Sequence, residues 1–155
     1  MTRPPKVLLF ALPAGAVVCA ALSVFLYYQW LVPNQKLYDL QWMNTASKEE
    51  LKKVAHKVLT CPIGRHHDAF VLLLGVGDAE SIPYLLTGLR WQPYTRKHDW
   101  MVCTKSHCLE ALRRITGHDA GLNYSDWAEW WASTGSKLPP TAFPVDQHPP
   151  EPSDR

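Results

Sequence analysis

The chain has 155 residues and a formal net charge of +2, enough for one small domain with appendages. Nucleic-acid binding would need a strongly basic face, and none is present. The basic residues Lys52, Lys53, Lys57, Arg113 and Arg114 alternate with Glu49, Glu50, Asp78, Glu80, Asp119, Asp126 and Glu129, the pattern of solvated helix faces.

No residue from Val7 to Val32 is charged. About 26 residues rising about 1.5 Å each exceed the roughly 30 Å that a bilayer core requires. Tyr27, Tyr28 and Trp30 crowd one end of the run, where amphipathic rings favour the interface, and Arg3 and Lys6 flank the other. The segment reads as a transmembrane signal anchor. A lipoprotein signal ending at Cys19 fits less well, because the apolar run continues past it and bulky Val18 precedes it. The basic flank favours an amino terminus inside the membrane and an extracytoplasmic carboxy-terminal domain.

Residues 33–46 read as a connector. Ser47 and Glu50 then make the Ser-x-x-Glu capping box of a helix whose Leu51, Val54, Ala55, Val58 and Leu59 form one apolar stripe. Cys61-Pro62 ends it, and a second helix runs from about His66 to Gly75. Gly77 is expected to close that helix in the left-handed conformation, and Asp78 to cap the next, which buries Ile82, Leu85, Leu86 and Leu89. A long aromatic and charged loop spans Trp91 to Trp100. A fourth helix follows from about Lys105 to Thr116, with Cys108, Leu109, Leu112 and Ile115 inward. Ser125 caps a last helix, whose Trp127, Trp130 and Trp131 stripe seals the open end of the stack. After residue 135 proline dominates and an extended disordered tail is expected.

The chain thus divides into a flank (1–6), an anchor (7–32), a connector (33–46), a helical domain (47–135) of about five helices and a tail (136–155). With no strand alternation, the fold class is all-α.

His67 to Gly77 and His107 to Gly117 match at an offset of about 40 residues, which reads as an internal repeat. The run Gly77-Asp78-Ala79-Glu80-Ser81-Ile82-Pro83-Tyr84-Leu85-Leu86, preceded by Leu73-Leu74-Gly75, resembles the helix pairs of HEAT-like repeat proteins, including the short repeats of bilin-lyase-like families. Leu109 to Gly117, continuing to Trp127 and Trp130-Trp131, is similar to a terminal repeat. The resemblance covers about Ser47 to Thr134. It implies a non-enzymatic, membrane-anchored scaffold that binds a protein partner, and it does not imply bilin attachment.

Candidate partner contacts are Trp91, Tyr94, Arg96, Lys97, His98 and Trp100, because aromatic and arginine side chains dominate interface energetics. Cys61, Cys103 and Cys108 allow a disulfide, Cys61 to Cys103 or Cys103 to Cys108. The same cysteines with His66, His67, His98 and His107 offer the rival reading, a membrane-tethered metal- or thiol-dependent enzyme. No Cys-x-x-Cys pair is present and the spacing fits no familiar zinc ribbon or finger, so no metal ligand, cofactor or catalytic residue is assigned. The His-Asp pairs at 67, 98 and 118 lack the distant partners of a metal phosphohydrolase, and helix-boundary chemistry accounts for them.

Overall fold

A computed structural model describes residues 7–92, 99–134 and 136, with side chains placed for 15–92, 103–134 and 136. All regular structure among them is helical.

The apolar run forms α1 (Val7–Leu26), passes through a π-helical turn (Tyr27–Leu31) and continues as α2 (Val32–Lys36). Pro33 explains the turn: it has no N–H to donate, and its ring collides with the carbonyl four residues back in a regular α-helix. The Val32 N–H instead reaches the Tyr27 carbonyl five residues back, widening the backbone where the proline enters. Gly15–Lys36 is long and apolar enough to cross a membrane, and Val17, Leu22, Phe25 and Tyr28 point outward from it without cover.

The expected connector is helical and belongs to the domain. Pro33 on α2 and Leu37 just after it are buried, and Leu37 joins the main core. Asp39 then accepts from the Trp42 N–H to cap α3 (Leu40–Thr45). The π turn and α2 are each tied to the 60–65 loop: the Trp30 indole N–H donates to the Ile63 carbonyl, and the Asn34 Oδ1 accepts from the Arg65 N–H at 2.8 Å. The span therefore enters the domain as a continuous, packed helical path.

Five α-helices make the domain: α4 (Lys48–Leu59), α5 (His66–Val76), α6 (Ile82–Arg90), α7 (Asp99–Thr116) and α8 (Tyr124–Ser133). The Ser47–Glu50 capping box is formed as expected. Asp78 also caps as expected, accepting from the Glu80 N–H at a short 3₁₀ turn (Ala79–Ser81) before α6. Three details differ. Gly77 is extended, with φ −67°, and is needed because a Cβ there would meet the Leu73 carbonyl oxygen at 2.4 Å; the described glycines with positive φ are Gly117 (66°) and Gly121 (95°). Asn123, not Ser125, precedes α8, and Ser125 turns to the neighbouring Asp126. α7 starts at Asp99, some two turns before the expected Lys105, so the long loop ends earlier.

The helices form two rows, α5 beside α7 and α4, α6, α8 alongside each other, with the core between them. α5 and α7 run in the same direction: His67 at the start of α5 meets His107 midway along α7, and the Arg114 guanidinium donates to the Leu74 and Gly75 carbonyls near the ends of both. The 40-residue sequence offset is thus the spatial register between two parallel helices. Where the rows meet, Gly88 of α6 permits contact so close that a Cβ would lie 2.7 Å from Leu59 and 2.8 Å from Phe70. At the far end Trp127 is fully buried, its indole N–H donating to the Gly121 carbonyl at 3.0 Å, while Trp130 and Trp131 cover the core's edge.

Candidate functional site

The early start of α7 puts Cys103 on a helix, one turn before His107. Residues four apart share a helical face. α5 starts beside that face because Cys61-Pro62-Ile63-Gly64 turns the chain after α4, and Asn34 from the anchor extension holds Arg65 at the turn's end. His67, in the first turn of α5, faces both residues.

The Cys103 Sγ lies 3.3 Å from the His107 Nε2 and 3.7 Å from the His67 Nε2. The two imidazoles meet edge to face at 5.2 Å between centroids, and one ligand atom from each residue falls within a sphere of 4.8 Å. Cys103 and His67 are exposed and His107 is half-buried. Pro62, Gly64, Trp91 and Gln92 join Cys103 and His67 in lining a cleft beside the cluster.

Behind the cluster stands a carboxylate. Asp68 Oδ1 is 3.1 Å from the His67 Nδ1, and its other oxygen takes the Arg65 Nε–H. Arg65 in turn stacks on Tyr38, with its guanidinium carbon 3.3 Å from the ring centroid. With Nδ1–H donated to Asp68, His67 turns an unprotonated Nε2 toward Cys103. The His67-Asp68 pair, which reads in sequence as helix-boundary chemistry, is an orienting contact for this imidazole.

Neighbouring His66 plays the opposite part. It is buried, its Nε2 donates to the Cys61 carbonyl at 2.7 Å and its Nδ1 accepts from the Gln92 amide at 2.8 Å. Burial pushes its pKa below the ordinary histidine value, so both ring nitrogens are committed in the neutral form. It is a structural residue.

The other expected positions separate. All four cysteines are free, so neither disulfide is formed. Cys103 and Cys108 are five apart on one helix and point different ways: Cys108 is fully buried against the Leu85 carbonyl, at 3.4 Å. Burial drives the Cys108 thiol well above its usual range and raises Cys61 as well, so both remain protonated and unreactive. Trp91 is half-buried at the end of α6 and lines the cleft. Tyr94, Arg96, Lys97 and His98 lie outside the described residues, as does the side chain of Trp100, so the expected contact loop has no placement to report. His67 and His107 were legible as a repeat, but their chemistry was not, because Cys103 was read as part of a loop. The missed signal is Cys103-x-x-x-His107, which is a ligand spacing only on a helix.

No protein-family model, curated protein or solved structure matches this chain, so its functional reading rests on this geometry alone.

Proposed function

We propose that this is a single-pass membrane protein whose HEAT-like helical domain, held on the extracytoplasmic side, binds a protein partner without catalysing a reaction. One observation carries the reading: the apolar helix stays uncovered from Gly15 to Leu31, yet continues through α2 into the domain core. A soluble domain would bury such a helix, and a flexible tether would leave the domain free to reorient. Here Trp30, Asn34 and Leu37 fix the domain against its anchor, which favours a module that presents one face at a set distance from the bilayer. The parallel register of α5 and α7 is the arrangement expected of stacked repeats, which typically build binding surfaces.

A membrane-impermeant maleimide tests the topology on intact cells. Cys103 is the one exposed cysteine outside the span; Cys61 and Cys108 are buried and Cys19 lies in α1. Labelling that is lost in Cys103→Ser places the domain outside. Labelling that appears only after lysis reverses the orientation, and extraction of the chain by alkaline carbonate removes the anchor. Crosslinking in the native membrane should then capture a protein of fixed stoichiometry; a chain that remains uncrosslinked at native abundance argues against the binding role. The cluster of His67, Cys103 and His107 favours a second reading, metal- or thiol-dependent chemistry, in which Cys103 alone of the cysteines takes part.

A further inference from the structure

We propose that His67, Cys103 and His107 bind a zinc ion through His67 Nε2, the Cys103 thiolate and His107 Nε2. The site goes beyond the membrane-module reading and stands or falls independently of it.

Distances come first. Tetrahedral zinc with Zn–S near 2.3 Å and Zn–N near 2.0 Å holds a sulfur and a nitrogen about 3.6 Å apart. The Cys103 sulfur lies 3.3 and 3.7 Å from the two imidazole nitrogens, on either side of that value. The two sulfur–nitrogen separations, set by two separate helices, are already those that an ion would impose. The remaining gap lies between the imidazoles and falls to the exposed His67 ring to close.

The donor chemistry agrees. Two imidazoles and one thiolate form a borderline-soft set that suits zinc and discriminates against calcium and magnesium, which take oxygen. Binding removes the Cys103 thiol proton to solvent; nothing is oxidised or reduced. The ion's two positive charges meet one on the thiolate, and Asp68, across the His67 ring from the ligating nitrogen and shared with Arg65, adds negative charge behind it.

Asp68 is the independent observation. A ligating histidine almost always donates its other ring N–H to a carboxylate or carbonyl, which fixes the tautomer and raises the basicity of the ligating nitrogen. Asp68 does this for His67 and is itself fixed by Arg65. At the other ring, His107 Nδ1 is buried with no hydrogen-bond partner among the described residues, which leaves Nε2 as its working atom. Three protein ligands leave a fourth position for water, facing the cleft that His67 and Cys103 line.

The test uses the full-length chain in detergent, without a polyhistidine tag and stripped of metal, titrated with Co²⁺ as a spectroscopic substitute. A near-ultraviolet thiolate-to-cobalt band and intense visible bands of a tetrahedral centre should appear at one ion per chain and vanish when Zn²⁺ is added. Cys103→Ser should lose the thiolate band. His67→Ala, at an exposed position, should retain wild-type circular dichroism and lose stoichiometric binding, which keeps the test valid if half-buried His107 resists substitution. Asp68→Asn should weaken zinc about 10- to 100-fold with the bands intact. A wild type that binds no stoichiometric cobalt, a thiolate band that survives in Cys103→Ser, or binding indifferent to His67→Ala overturns the site. A preference for Cu⁺ over Zn²⁺ at matched free concentrations overturns the assignment of zinc. None of these results bears on carbonate extraction or crosslinking, so the membrane reading is tested separately.

Discussion

Two polar clusters occupy the two rows of helices, and they differ in how their atoms are satisfied. Between α4 and α6, the Lys52 ammonium is surrounded by Glu49, Asp78 and Glu80, and its stem is buried. His56 bonds the Ser81 hydroxyl at 2.9 Å and stacks on Tyr84 with 4.0 Å between centroids. Asp78 serves both as lysine partner and as helix cap. Each group there answers another of opposite character, as fold-stabilising polar networks do. Between α5 and α7, two imidazole nitrogens converge on one sulfur, three groups of like donor character. The abundance of charge is no guide to function: the first cluster is richer in ions and its charges answer one another, while the second gathers only neutral-type donors suited to a metal.

The largest expected effect tests the proposed zinc site. Free zinc at 100 times its dissociation constant should stabilise the detergent-solubilised chain against urea by about 2.7 kcal/mol, read by tryptophan fluorescence. Cys103→Ser should abolish the gain. If zinc shifted both proteins equally, the two clusters would not differ in kind.

Asp78→Ala should come next. It removes a helix cap, worth about 1–2 kcal/mol, and takes a carboxylate from Lys52. The loss should be the same with or without zinc. A zinc-dependent loss would mean that the rows are coupled and the clusters are one system.

The pH dependence separates them by sign. Burial pushes His56 down to about 4, with Lys52 adding to the effect. The unfolded chain, near 6.5, takes up the proton first. Stability from the neutral ring is therefore fully present above pH 6.5 and is lost as the pH falls from 6.5 toward 4. Solvent still reaches the half-buried ring, so screening limits the loss to about 1 kcal/mol. His66 has the same sign, so the quantity to compare is wild type against His56→Gln, whose urea midpoint should vary less across that window. Asp78 and Asp119, held below the ordinary carboxylate range by Lys52 and by the Gly121 N–H with Arg113, act only at lower pH. An unchanged slope in His56→Gln would show that the ring is not desolvated.

The sequence shows the helix caps beside the first cluster, and the reason is range; Lys52 itself, expected on a solvated face, is buried among Glu49, Asp78 and Glu80. Ser47 with Glu50, and Asp78 before α6, act over a few residues, so caps and apolar stripes identify α4, α5 and α6 directly. Leu51, Ala55, Leu85 and Leu112 are buried where their spacing puts them. Residues 33–46 misled because Pro33 ordinarily ends a helix, and here a π turn admits it. The first turns of α7 are not legible because Asp99-Trp100-Met101-Val102 shows no amphipathic stripe, although the helix begins at Asp99. The candidate site inherits that error. His67 and His107 were visible at their offset of 40, but recognising them as ligands requires Cys103 on a helix and α5 parallel to α7, two facts that arise only from the packing.

The smallest expected effect is the most discriminating. In metal-free protein, His67→Ala and Cys103→Ala should each change stability by less than about 0.5 kcal/mol, as exposed positions outside a network do. Removing His67 forfeits one partly exposed bond to Asp68, which Arg65 still holds. Removing Cys103 forfeits a thiol contact of 3.3 Å and leaves no buried group unpaired. The completed cluster must respond the other way, because Lys52→Ala removes a buried stem and the ammonium that Glu49, Asp78 and Glu80 share. If the apo variants at 67 and 103 were as damaging as Lys52→Ala, the histidines and the cysteine would be holding α5 to α7 themselves. Their convergence would then be packing, with no ligand needed to explain it.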